Sequence, residues 1–503
     1  MSLDLNYVRE QFPALDNEWV FMDNAGGSQI LKGCVENINE YYYKNNVQLG
    51  GSYDLSQAAS RAFSEGREKI STLFNAKSAD EIVFGPSSTV LLQFLSKALE
   101  SHFHPGDEVI VTSLDHESNI GPWLELEKLG VIIKFWEFNT NTYTLDLEDL
   151  EKIITEKTKL VAFIHVSNIV GTINPIKKFT EFIHDHGAMV CVDAVAYAPH
   201  RAIDVVDWDV DFYVLSLYKT YGPHHAALYC RMDHMLELDS LYHFFYGKDK
   251  IPAKMEPGNA NYELSYASGA VVDYLSEIGS CEKINLPVRE NIEKAFELIT
   301  GHETLLNSML LDYLVSRKDC TIIGSKDGTS ISRVPTVAFI VDGKLSDQIC
   351  VAMDQHKVAI RYGDFHARRL SDRLNLEHCN GAVRISLTHY NTVNEVNKLK
   401  LVSLALKHIN NLKIDKREIL KKSPSYAYQT FKEIQKENPH DDLVWIMGLD
   451  SFLKIETWYK YENFLKVEHC VVCRNHQHTP FLIFFLLYHQ VMSLQNPIFH
   501  QDP

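Results

Sequence analysis

The chain predicts an α/β protein with a mostly parallel sheet, followed by a smaller α+β part, on two observations. Between Asp107 and Cys230 short apolar runs alternate with amphipathic stretches, the pattern of βαβ units whose sheet is covered on both faces. From about Pro257 the pattern changes to longer helical segments with fewer apolar runs.

The runs at 109–112, 160–166, 189–192, 212–215 and 226–229 read as buried strands. Residues 176–186 have apolar side chains at helical spacing and stop at Gly187, a natural C-terminal cap directly before the next strand. Gly85-Pro86-Ser87-Ser88-Thr89 follows a strand at 81–84 and opens an apolar-periodic helix at 90–99. The smaller part ends in a strand at 383–387 and a helix from Asn391. Beyond it, 425–438 reads as an amphipathic helix, and 443–447 and 468–473 as buried strands. The expected organisation is a large domain over 1–256, a small domain over 257–400, a further segment over 401–475 and an irregular tail over 476–503.

A chain of 503 residues exceeds one hydrophobic core, and 45% apolar content is enough for several. The formal charge of -17 argues against nucleic acid or an anionic membrane surface as partner, since both are bound through clustered Lys and Arg. Nine irregularly spaced cysteines, and an acidic start without a basic-then-apolar pattern, point to a soluble protein of the reducing cytoplasm. The apolar run at 481–487 is far shorter than the ~20 residues of a membrane span.

In such sheets ligands sit beyond the C-terminal ends of the strands. Lys219 stands directly after one strand, where desolvation lowers an ammonium toward the neutral amine that imine formation requires. A lysine that simply emerges into water reads the same. Ser216-x-x-Lys219 also occurs in penicillin-recognising serine enzymes, but their partner motifs are missing. Asp193 follows the neighbouring strand and would pair with the pyridinium nitrogen of pyridoxal phosphate, keeping the ring an electron sink; it would also serve as a loop cap. Ser88 and Thr89 at a helix N-terminus suit a phosphate, or a plain N-cap. His116 would stack on the ring and shuttle protons, titrating near working pH, or be merely solvated. Arg384 would offer its guanidinium fork to a substrate carboxylate, or form a surface ion pair.

Ordered motifs then carry a resemblance. Phe21 to Gly27, Asp115 to Trp123, Ser167 to Pro175, Val192-Asp193, Ser216 to Gly222 and Arg384 to Thr392 make residues 15–401 similar to the class V aminotransferases, specifically their cysteine desulfurase-like group. The resemblance implies the type I fold of pyridoxal-phosphate enzymes, with a mostly parallel seven-stranded sheet in the large domain. It implies that Lys219 carries pyridoxal 5'-phosphate as a Schiff base and Asp193 pairs with the ring nitrogen. His116 is implied to stack on the ring, Asn168 to lie beside the ring hydroxyl, and Ser88, Thr89, Ser216 and Tyr218 to meet the phosphate. Ala25, Gly26 and Arg384 are implied to bind an amino-acid substrate, and the assembly to be a homodimer.

Four positions depart from that pattern. Ala196 replaces a glutamine near the ring hydroxyl, and Tyr218 replaces a histidine before the lysine. His366 stands about where desulfurases carry a nucleophilic cysteine, so persulfide formation there is not possible. Gly258-Asn259-Ala260-Asn261 lacks a threonine that in the family often reaches a partner's phosphate site. A desulfurase-like lyase or an aminotransferase acting on an α-amino acid follows; the alternative is a catalytically silent fusion or interaction protein.

Residues 401–475 resemble the C-terminal half of nicotinate-nucleotide adenylyltransferases, through Ser425 to Thr430, Trp445 to Ser451, Trp458 and Val471 to Arg474. Gly448, Asp450 and Trp458 inherit a nucleotide-holding role from that resemblance. The family's His-x-x-His segment does not precede residue 401, so a truncated gene fusion with little or no adenylyltransferase activity is expected, as a partial Rossmann-like segment, and a nicotinate-nucleotide adenylyltransferase is the last of the alternative functions. Cys470 and Cys473 read as core, and no metal is expected.

Overall fold

A computed structural model describes residues 2–280, 286–329, 332–407, 427–437, 445–448, 457, 470–473 and 483–486. The chain forms two compact units, Met1–Lys407 and His408–Pro503.

In the first unit the strands are β1 (Val20–Phe21), β2 (Ile82–Gly85), β3 (Glu108–Thr112), β4 (Ile132–Trp136), β5 (Thr158–Ile164), β6 (Met189–Asp193), β7 (Phe212–Ser216) and β8 (Ala226–Cys230). Seven of them form one sheet in the order β2-β8-β7-β6-β5-β3-β4. Neighbours from β7 to β4 run parallel, while β8 is antiparallel to both β7 and β2. The buried strand read at 226–229 is present as β8, and the sheet is mostly parallel. The link 217–225 is too short to carry a crossover helix, so the chain must return antiparallel. Strand β4 escaped the sequence reading: it is an edge strand, partly exposed, with Lys134 in its middle, and so lacks the fully apolar run of its neighbours.

Helices cover the sheet. Ile176–Asp185 returns the chain from β5 to β6, burying Ile176, Phe179 and Ile183. The helices Asp54–Phe74 and Tyr262–Gly279 approach so closely that a Cβ on Gly66 would lie 2.2 Å from the Ser265 carbonyl oxygen.

A second, antiparallel sheet is built from β9 (Cys320–Ile323), β10 (Thr336–Val341), β12 (Arg361–Gly363) and β13 (Ala382–Ser386), in the order β12-β13-β10-β9. Between β10 and β12 a short β11 (Val358–Ala359) pairs in parallel with β1. Asp23 then bridges Ser386 of β13. The N-terminal strand therefore ties the second sheet to the segment 22–26, which reaches the site described below.

In the second unit the described elements are a helix, Ala427–Glu437, and the strands β14 (Trp445–Gly448), β15 (Cys470–Cys473) and β16 (Ile483–Leu486). Strands β14 and β15 are parallel, and β16 is antiparallel to β15. The expected irregular tail thus contains a strand, which its unbroken apolar run permits. Asp450 and Trp458 lie outside the described residues. Among the described residues no helix is long and apolar enough to cross a membrane.

Candidate active site

The polar residues that follow β3, β5, β6 and β7 converge at one edge of the sheet. Asp193 closes β6 and stands in register with Val214 of β7, and a single turn after β7 carries Tyr218 and Lys219. Neighbouring parallel strands end at the same edge, which is why a carboxylate and an amine from distant parts of the sequence meet.

A cavity of about 390 Å³ opens there, lined by Ala25, Gly26, His116, Asn168, Tyr218, Lys219, Arg384 and the loop from Arg361 to His366. That volume suits a cofactor-sized ligand. Lys219 is half-buried at its wall. Burial, with the cation of Arg384 nearby, lowers its ammonium from the usual lysine range to about 8, although Asp193 and Asp23 pull the other way.

Asp193 is buried, and its Oδ1 accepts the Val195 N–H at 2.9 Å. Burial raises its carboxyl, and the Lys219 charge partly offsets this. It is not among the residues that line the cavity.

His116 is held by its own turn. Asp115, fully buried, accepts from the Asn119 side chain at 2.7 Å, from the Ile164 N–H at 3.1 Å and from the Thr112 hydroxyl, which fixes the loop after β3. The Ser118 N–H donates to His116 Nδ1 at 3.1 Å, so the proton of the neutral ring sits on Nε2. Burial first, then the charges of Lys219, His366 and Arg384, push the imidazole down to about 3. The expectation that His116 titrates near working pH is corrected: in this cationic, enclosed corner it is a neutral ring.

Arg384 is no surface ion pair. Its side chain is 2% exposed, with Nη2 donating to Asp23 Oδ1 at 2.9 Å and Nη1 to the Asn168 carbonyl at 3.1 Å. The guanidinium lies over the Phe365 ring, 4.0 Å from its centroid. Arg361, opposite Arg384 in the β12–β13 register, approaches the other Asp23 oxygen at 3.5 Å. Sequence reasoning passed over both Asp23 and Arg361. Asp23 was in plain view inside the quoted run from Phe21 to Gly27, but nothing local tells which partner it has. Gly26 gives the only positional hint, since a Cβ there would lie 2.9 Å from the Asp23 carboxylate.

The phosphate candidates lie at the N-terminus of the helix Ser88–Leu99, which Ser87 caps. Ser216 Oγ donates to Ser88 Oγ at 3.0 Å, joining β7 to that helix, whereas the Thr89 side chain is exposed. Gly85 lets the turn close, since a Cβ there would lie 2.7 Å from the Leu91 side chain.

The residues fit pyridoxal 5'-phosphate. Two buried polar atoms beside the cavity, Asn168 Oδ1 and Arg384 Nε, have no protein partner. Buried groups of that kind normally find one, so a polar ligand is the natural complement. An amine of lowered basicity, a buried carboxylate, a neutral imidazole face and serine hydroxyls at a helix start complete the donor set.

Comparison with known proteins agrees. The chain matches the class-V aminotransferase family over residues 20–399. It is 41% identical to the aminotransferase-like protein FGM3 of Gibberella zeae over 406 residues, 79% of this chain and 97% of that protein. It is 32% identical to the cysteine desulfurase-like protein ustD of Aspergillus flavus, over 78% of this chain and 88% of that one. The apo cysteine desulfurase of Thermococcus onnurineus NA1 superposes with a TM-score of 0.72 at 27% identity, covering 82% of this chain and 99% of that chain. The fold and the cavity define a pyridoxal-phosphate-dependent enzyme of α/β class. The chain belongs to the class-V aminotransferase family, among relatives of the cysteine desulfurase-like kind.

Proposed function

We propose that this enzyme acts on an α-amino acid as a desulfurase-like lyase or an aminotransferase, without a protein thiol as sulfur acceptor. The observation that carries the reading is the convergence of Lys219, with its lowered basicity, and the buried Arg384 on one cavity.

When bound, pyridoxal 5'-phosphate supplies an aldehyde for an amine and a ring that withdraws electrons from the Cα of an amino acid. The chain's own residues do the rest. Arg384 binds the substrate carboxylate, its plane set by Asp23, the Asn168 carbonyl and the Phe365 ring. Ala25 and Gly26 border the same space, with the Ala25 N–H held by Ser386 Oγ at 2.8 Å. Lys219, as a neutral amine, takes and returns the proton at Cα. Asp193 holds a proton at the ring nitrogen, and His116 offers its face. Asn168 Oδ1 serves the ring hydroxyl in place of the glutamine that Ala196 replaces. Ser88, Thr89, Ser216 and Tyr218 meet the phosphate.

Support for the missing thiol comes from the cavity wall: no cysteine is among its lining residues, and His366 occupies the loop position concerned. Cys379, nearest in sequence, is buried, its thiol donating to the Leu376 and Gly381 carbonyls. The reading extends to a cytoplasmic homodimer acting on a small molecule, and to residues 401–475 as a truncated adenylyltransferase-like fusion. Assaying a panel of amino acids for alanine, pyruvate, sulfide and ammonia, while following the cofactor absorbance, tests it. Alanine formed from cysteine in a reaction that is lost when a cysteine of this chain is substituted would contradict the part assigned to the missing thiol.

A further inference from the structure

We infer that His366 is the acid that protonates the group leaving the substrate's β-carbon, so that the reaction is a β-elimination. The inference rests on the amino-acid reading above and gives it a reaction class.

Two consecutive non-glycine residues, Phe365 at φ 52° and His366 at φ 58°, occupy the left-handed region. Each is an uncommon conformation costing on the order of 1 kcal/mol, and such strain persists only where the surroundings hold it. Here they do. The Asn168 side chain donates to the Phe365 carbonyl at 2.9 Å, the Glu117 N–H to the His366 carbonyl at 2.8 Å, and the His366 N–H to Asp364 Oδ1 at 3.1 Å. Every hydrogen bond fixes backbone, while the imidazole itself lines the cavity and stands 5.4 Å from the His116 ring. The loop thus spends strain to present one imidazole to the ligand space.

The other proton-bearing groups on that wall are engaged elsewhere: Lys219 takes the Cα proton, Tyr218 stacks on His224, Tyr362 is exposed and Asp364 accepts the His366 N–H. His116 is a neutral ring, Arg384 and Arg361 are guanidiniums, and no thiol is among the lining residues. The His366 imidazole, which the strained loop places on the cavity wall, is the remaining donor. The step balances. Lys219 Nζ takes the Cα proton, and the Cα–H electron pair becomes the Cα=Cβ double bond. The bond from Cβ to the leaving atom breaks with its pair on that atom, and a proton from the His366 ring goes to it. With L-cysteine the products are sulfide and 2-aminoacrylate, which water hydrolyses to pyruvate and ammonia.

The test compares two leaving groups in the full-length holoenzyme. Thiolate is basic and needs the proton; the chloride of β-chloro-L-alanine does not. His366→Gln is expected to lower kcat/KM for pyruvate formation from L-cysteine by about 10²–10⁴-fold and that from β-chloro-L-alanine by less than about ten-fold. The dissociation constant of L-alanine, read from the cofactor band, should change less than about two-fold, because carboxylate binding lies with Arg384. Free imidazole should restore part of the cysteine reaction in His366→Ala. Equal losses with both substrates, or alanine instead of pyruvate from L-cysteine, would overturn the inference while the cofactor band remains. Absence of that band would overturn the underlying reading as well.

Discussion

Arg384 donates through Nη2 to Asp23 Oδ1 at 2.9 Å, so the cation that closes the second sheet is aimed by a carboxylate from the N-terminal segment. One carboxylate serves two guanidiniums, Arg384 and Arg361, leaving the cavity with an excess of positive charge toward an incoming anion.

Replacing Arg384 removes that attraction. Arg384→Lys keeps the charge but loses the fork, and a charge-assisted hydrogen bond is worth about 1.5–3 kcal/mol, so amino-acid binding should weaken about 10- to 150-fold. Titrating the cofactor absorbance with L-alanine measures it; unchanged binding would remove Arg384 from the substrate site.

Cofactor capture should follow the Lys219 amine. With its ammonium lowered to about 8, the reactive neutral form grows as pH rises through 8. It makes up about a tenth at pH 7 and nine-tenths at pH 9 by simple titration. Between pH 8 and the ordinary lysine range the unfolded chain binds the extra proton, so stability also rises with pH across that window. Stopped-flow reconstitution of the apoprotein with pyridoxal 5'-phosphate should speed up from pH 7 to 9.

A third prediction concerns the ion cluster around Asp211, the residue just before β7. Asp211 accepts from His184 Nε2 at 2.9 Å and His234 Nε2 at 2.8 Å and pairs with Arg231 at 2.8 Å. The hydrogen bond to Asp211 raises His184 above the usual histidine value. A raised folded-state basicity gives stability that is complete below the unfolded value near 6.5 and fades as pH climbs through the folded one. Thermal melts should therefore show a loss on passing from pH 6 to 8 that is absent in His184→Gln.

Gly171 carries φ 70°, and a Cβ there would lie 2.4 Å from the Thr336 carbonyl oxygen. Gly171→Ala combines left-handed strain with overpacking and should cost about 2–4 kcal/mol. Because the same turn holds Asn168, urea denaturation and cofactor retention should worsen together.

Legibility in the sequence followed locality. Strands β3, β5, β6 and β7 were readable because both faces are covered and their runs are fully apolar, and Lys219 and Asp193 were readable because strand ends are where such sheets bind ligands. Strand β4, exposed on one side, was not, and the antiparallel direction of β8 came only from its pairing with β7 and β2. Within the site, Arg384 was visible while its partner Asp23 was not, since 361 residues separate them. The neutrality of His116 was equally hidden: it depends on Lys219, His366 and Arg384, which only the fold brings together.

Reduction with borohydride followed by peptide mass spectrometry tests the central assignment most directly. The pyridoxyl adduct is predicted on Lys219, with the visible band near about 420 nm bleached as the bond is reduced. An adduct on another lysine, or none in a protein that retains its fold, would contradict it.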